Sequence, residues 1–132
     1  MIGIDTNVLV RYFAQDDARQ GATARRFIEQ HIGPDRPGYV TLVALVGLVW
    51  VLRSSYEATR EEIIRVVEQM LAHTALLIQD ANAVWLALDE YELSSADFSD
   101  ALIVALGQNE GCSHTVSFDA KACRIEGMEM LS

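Results

Sequence analysis

The chain has 132 residues, and its ten Lys and Arg against nineteen Asp and Glu give a formal net charge of −9. A hydrophobic share of 51% with 22% charged residues excludes a disordered chain and fits one compact domain. The longest apolar run, Leu42 to Leu52, is well short of the roughly 18 residues of a membrane span, and Met1-Ile2-Gly3-Ile4 meets Asp5 with no room for a basic leader. The expectation is a single domain over residues 1–132, cytoplasmic and without a membrane partner. Cys112 and Cys123 are the only cysteines, too few for a disulfide framework and too far apart for a CxxC pair. The acidity argues against a broad basic nucleic-acid surface while leaving metal-assisted phosphate binding open.

In chain order, Met1 to Ile4 reads as a short apolar strand that opens onto Asp5. Val8, Leu9, Tyr12 and Phe13 have helical spacing, and Asp17 to Ile32 predicts a second helix with Ala22, Phe27 and Ile28 inward. The loop Gly33-Pro34-Asp35-Arg36-Pro37-Gly38 precedes a brief strand at Tyr39 to Thr41. Leu42 to Arg53 is apolar all round and predicts a buried helix. Thr59 and Glu62 form a capping box before the apolar face Ile63, Ile64, Val66, Val67, Met70 and Leu71. Leu76-Leu77-Ile78 is a further strand. Asp80 caps a helix through Leu93, and Ser94 or Ser95 caps one from about Ala96 to Gln108 with Gly111 as its stop. His114 to Phe118 and Met128 to Leu131 close the list of strands. Short apolar strands alternating with helices imply an α/β fold, a parallel sheet covered on both faces.

Asp5 and Asp119 stand at the C-terminal ends of strands, where open parallel sheets hold their ligands. Asp97 and Asp100, three apart in the first turns of one helix, share a face with apolar neighbours Ala101, Leu102, Ile103, Ala105 and Leu106. Carboxylates gathered at one sheet edge repel unless a cation sits among them. A hard oxygen set without His or Cys favours Mg²⁺ or Mn²⁺ over zinc, and such a site polarises phosphorus and activates water. Thr6, Asn7 and Ser117 add polar groups beside these acids. The plainer readings are that Asp5 and Asp119 cap the helices that follow, Asp119 capping Ala120–Cys123, and that Asp97 and Asp100 complement a helix dipole. His31, His73 and His114 show no ligand spacing, and Trp50 and Trp85 sit in apolar stripes that read as core.

The segments Ile4-Asp5-Thr6-Asn7-Val8-Leu9-Val10-Arg11, Trp50-Val51-Leu52-Arg53, Ala96-Asp97-Phe98-Ser99-Asp100-Ala101-Leu102-Ile103 and Thr115-Val116-Ser117-Phe118-Asp119, in this order over nearly the whole chain, resemble a PIN domain. More narrowly they are similar to the VapC-type toxins of bacterial toxin–antitoxin pairs. The resemblance implies a three-layer α/β/α sandwich with a short, mainly parallel sheet, Mg²⁺ or Mn²⁺ dependence, and endonucleolytic cleavage of RNA. It further implies a homodimer and inhibition by a cognate antitoxin. By motif, Asp5 and Asp100 match the metal-binding acids, Asp97 an accessory acid, Asp119 the last, more variable one, and Ser117 the hydroxyl before it.

Gly47 departs from this pattern, for the family usually carries a Glu three residues before the Trp, and no other acid lies between Asp35 and Glu57. Gly inside a helix costs about 1 kcal/mol relative to Ala. Its two readings are close helix packing and a position that has lost its carboxylate, naturally or through a single-base change. The second predicts weak or absent cleavage, and it keeps alive a catalytically inactive module that binds antitoxin or RNA. A receiver-type phosphoacceptor and a DxD phosphatase fit less well, because Asp5 is followed by Thr6-Asn7 rather than a second acid. Nine Arg and one Lys are scattered, with Arg11, Arg53 and Arg124 nearest the motifs as phosphate contacts.

Overall fold

A computed structural model describes all 132 residues. The chain divides into two compact units, Met1–Gln79 and Asp80–Ser132, each considered by itself.

The first unit holds β1 (Ile2–Gly3), α1 (Thr6–Ala14), α2 (Ala18–Arg26), β2 (Gly38–Val40), α3 (Leu42–Ser55), α4 (Arg60–Ala72) and β3 (Leu76–Ile78). Its strands form a parallel sheet in the order β1-β2-β3, with Ile2 opposite Gly38 and Gly38 opposite Leu76. Leu9, Ile28, Val40, Leu45, Leu48, Ile63, Val67 and Met70 are its buried core. The helix starts follow local chemistry. Asp17 accepts from the Gln20 amide at 2.8 Å, and Thr59 and Glu62 complete the expected capping box.

The second unit holds α5 (Ala81–Leu93), α6 (Phe98–Asn109), β4 (Thr115–Ser117), a 3₁₀ turn at Ala122–Arg124 and β5 (Met128–Met130), with β4 and β5 parallel. Ala83, Val84, Ala87, Leu88 and Tyr91 of α5 are buried, as are Phe98, Ala101, Leu102, Val104 and Ala105 of α6, and the two helices pack on each other. The Tyr91 and Phe98 rings meet edge to face, 5.9 Å apart at 90°. After α6, Gly111 takes φ +91°, the left-handed turn expected of its stop.

The α/β class with short parallel strands is the one the sequence implied, but several elements differ in detail. Residues 17–32 are not one regular helix. After Arg26 the chain widens into a π-turn, Phe27–His31, closed by the Ile32 amide on the Phe27 carbonyl at 3.1 Å. The buried stripe is Gly21, Ala24, Ile28 and Ile32, whereas Ala22, expected inward, is exposed. The helix at Leu42 is apolar all round yet not buried all round, with Val43 84% and Trp50 68% exposed. Trp50 and Trp85, the latter 42% exposed, are therefore not core residues. Composition gives the apolarity of such a helix but not which side has neighbours. α6 begins at Phe98 with Asp97, not Ser94 or Ser95, in the N-cap position, and Asp80 precedes α5 in a left-handed conformation with no side-chain cap bond. The turn after Asp119 is 3₁₀ at Ala122–Arg124 rather than a helix at Ala120–Cys123.

Candidate active site

In the second unit, β4 ends at Ser117 and Asp119 follows two residues later. The Ser117 hydroxyl accepts the Asp119 amide at 3.0 Å, which turns the chain sharply off the strand. Asp119 Oδ1 then accepts the amides of Lys121 at 2.9 Å and Ala122 at 3.3 Å. Asp119 is thus a cap, as the plainer reading held, and these bonds engage only one of its two oxygens.

Asp97 occupies the N-cap of α6 with extended backbone, yet its side chain makes no capping bond. The residue is exposed to solvent. Asp100, one turn on, is half-buried. Burial raises the Asp100 carboxyl above the usual carboxylate range, and the negative charges of Asp97 and Asp119 add to the rise, while the Asp97 backbone amide and Lys121 pull the other way. Asp100 on the helix start thus lies within electrostatic reach of Asp97 beside it and of Asp119 after the strand. Ser117 positions Asp119.

In the first unit, Asp5 follows β1 and caps α1 with its Oδ1 on the Thr6 amide at 2.8 Å. The Thr6 hydroxyl donates to the Ala44 carbonyl of α3 at 3.0 Å, so it ties α1 to α3. Gly47 lies against the same side chain. A Cβ placed on it would stand 2.9 Å from Thr6 Oγ1 and 3.4 Å from Thr6 Cγ2. The missing side chain is what admits this approach. Asn7 is exposed on the next position of α1.

Arg11 extends the edge of α1 begun by Asp5 and Asn7. Its Nε donates to Gln20 Oε1 at 2.7 Å and its Nη1 lies 3.2 Å from Asp16 Oδ1 and 3.4 Å from the Tyr56 hydroxyl. Tyr56 in turn donates to Asp16 Oδ2 at 2.7 Å. That bond lowers the Asp16 carboxyl and raises the Tyr56 phenol. This network was not legible in the sequence, since Tyr56 is forty residues from Asp16. The step of four from Gly47 through Val51 to Ser55 is the one signal that a face of α3 runs beside α1. The other two arginines near the motifs are bound structurally, Arg53 to the Ala58 carbonyl at 3.0 Å and Arg124 to Ser95 at 3.2 Å. His73 accepts the Ala75 amide, His31 stacks on Phe27, and His114 lies 3.6 Å from Glu129, none of them in a ligand cluster.

A trio of carboxylates with no imidazole or thiolate among them is a hard donor set suited to Mg²⁺ or Mn²⁺. No group of three or more His, Cys, Asp or Glu is gathered tightly enough to enclose a metal ion, so the fit lies in the chemistry of the donors.

The PIN domain family profile matches residues 2–128. No curated protein matches the chain significantly. Two short strands, β1 and β4, that run on to Asp5 and Asp119, a helix opening on two more acids, and a match over nearly the whole length agree: the chain belongs to the PIN domain family, whose members are in general nucleases that use divalent metal ions.

Proposed function

We propose that the chain is a metal-dependent endoribonuclease of the VapC type, the toxin of a type II toxin–antitoxin pair, with its cleavage impaired by Gly47. The observation that carries this reading is Asp100: a half-buried carboxyl pressed by Asp97 and Asp119, a place where negative charge is held at a cost unless a cation offsets it. By motif, Asp5 and Asp100 are assigned as metal-binding acids, Asp97 as an accessory acid and Asp119 as the last, more variable one. A bound Mg²⁺ or Mn²⁺ would polarise the scissile phosphate and lower the pKa of the attacking water. Beside such an ion, the Asp97 carboxylate, free of capping duty, would accept the proton of that water, and the second oxygen of Asp119 would orient it. Ser117 holds Asp119 in place through the Asp119 amide. The same reading makes the protein one PIN domain, a cytoplasmic homodimer restrained by a cognate antitoxin. The ordered motifs and the exposed apolar pair Val43 and Trp50, seven residues apart on α3, support it.

A second reading is favoured by one observation. A side chain at Gly47 would crowd Thr6 and force it to shift, which suits a PIN-fold binding module that engages antitoxin or RNA without cutting. RNA cleavage in Mg²⁺ and in Mn²⁺, run on this chain, Gly47→Glu and Gly47→Ala, separates the two. Gly47→Ala imposes the same crowding on Thr6 without adding a carboxylate. The expected outcome is strong cleavage by Gly47→Glu alone, abolished when Asp100→Asn is added. Equal cleavage by all three chains makes Gly47 a packing residue, and no cleavage by any of them sets the nuclease reading aside.

A further inference from the structure

α1 and α3 touch at Thr6 and Gly47, and beyond that contact a cleft of about 360 Å³ opens between them. Its walls are Asn7, Val10 and Arg11 from α1 and Val51, Ser55 and Tyr56 from the α3 side, with Asp5 at the rim. The volume is at the lower end of the range for small-molecule sites, about 300–1,000 Å³, the size of one ring system and not of a strand. Its chemistry is mixed in a particular way. Val10 and Val51 supply apolar surface, and around them stand an amide with donors and an acceptor, three hydroxyls, the Asp5 carboxylate and a guanidinium.

Arg11 is preorganised for this role. Its bonds to Gln20, Asp16 and Tyr56 use Nε and Nη1 and fix the plane of the guanidinium, while Nη2 takes no part in them. Asp16 offsets its charge. The group therefore presents a fixed hydrogen-bond donor more than a free cation, which suits a neutral planar acceptor better than a phosphate. Asn7, one helical turn before Arg11 and exposed, can bond a base edge through two atoms at once.

We infer that the α1–α3 cleft is a base-recognition subsite that holds the nucleobase next to the scissile phosphate, with Asn7 and Arg11 reading its edge between Val10 and Val51. This rests on the nuclease reading for its place beside Asp5, and it adds to that reading a source of cut-site preference. A single base read by two side chains gives a preference at one nucleotide and little discrimination further along the RNA.

The test is an amide-shift titration of the unaltered chain with the four nucleoside 5′-monophosphates in EDTA, with ribose 5-phosphate and inorganic phosphate as comparison probes. The expected result is shifts at Asn7, Arg11, Val51, Ser55 and Tyr56 with about a tenfold preference for one base, as a bidentate contact provides. Asn7→Ala, at an exposed position, should flatten that preference. Val51→Trp should fill the cleft and remove binding while amides elsewhere keep their shifts. Equal shifts from ribose 5-phosphate, or a base preference unchanged in Asn7→Ala, overturn the proposal, as does the absence of shifts at the cleft. Because no metal is present, nucleotide binding here with no cleavage elsewhere retires the nuclease and keeps the subsite, whereas cleavage without these shifts does the reverse.

Discussion

Replacing the Asp100 carboxyl by an amide separates its cost to folding from its use in binding. Its pKa is raised in the folded chain, so the folded state holds that proton more tightly than the unfolded one. The stability this lends is complete below the ordinary carboxylate range and is lost as pH rises through the raised value. Asp100→Asn is therefore expected to melt slightly higher than the unaltered chain at neutral pH, with the gap closing on acidification; thermal denaturation across pH checks it. Added Mg²⁺ should raise the melting point of the unaltered chain and leave that of Asp100→Asn nearly unmoved. That Asp100 faces inward was legible from Ala101 and Leu102 beside it. The exposure of Trp50 was not, since an apolar residue in a wholly apolar helix carries no sign of which side is covered.

Elements were legible where their causes are local. The Thr59–Glu62 capping box could be read from two residues three apart, and both of its bonds are formed, the Thr59 hydroxyl on the Glu62 amide at 3.1 Å and Glu62 back on the Thr59 amide at 3.2 Å. Thr59→Ala removes one of them and is expected to cost about 1 kcal/mol, as N-cap replacements do. Chemical denaturation with an unchanged slope would register it as a loss of stability alone. The π-turn at Phe27–His31 had no such signature. A carbonyl bonded five residues on differs from one bonded four on only through what the surrounding core demands of Ile28 and Ile32. Asp97 shows the same limit at the site: a preferred N-cap residue in the N-cap position whose side chain does not cap.

At the scale of the whole molecule, alternation of strand and helix was enough to give the α/β class, and the motif order was enough to give the family. Pairing was harder, because strands of two or three residues carry almost no register information of their own. With a charge of −9, and with Arg11, Arg53 and Arg124 held in structural bonds, RNA affinity should depend only shallowly on salt. The homodimer proposed for this fold has a direct check on α3. Trp50→Glu puts a charge on the exposed apolar face without touching the core, so the unaltered chain is expected to sediment as a dimer and the variant as a folded monomer. Dimers in both would move the interface elsewhere.

The caps at Asp5 and Asp119 have a last consequence. In each, a carboxylate oxygen proposed for catalysis is already held by a backbone amide: Thr6 for Asp5, and Lys121 with Ala122 for Asp119. These two acids are thereby aimed by the main chain itself, with the Ser117 hydroxyl as a further support for Asp119. The three amides share electron density with whatever the carboxylates bind, and so act as built-in reporters. A ligand drawing on those oxygens weakens the N–H bonds and speeds their exchange with solvent deuterium, locally and without any change in fold.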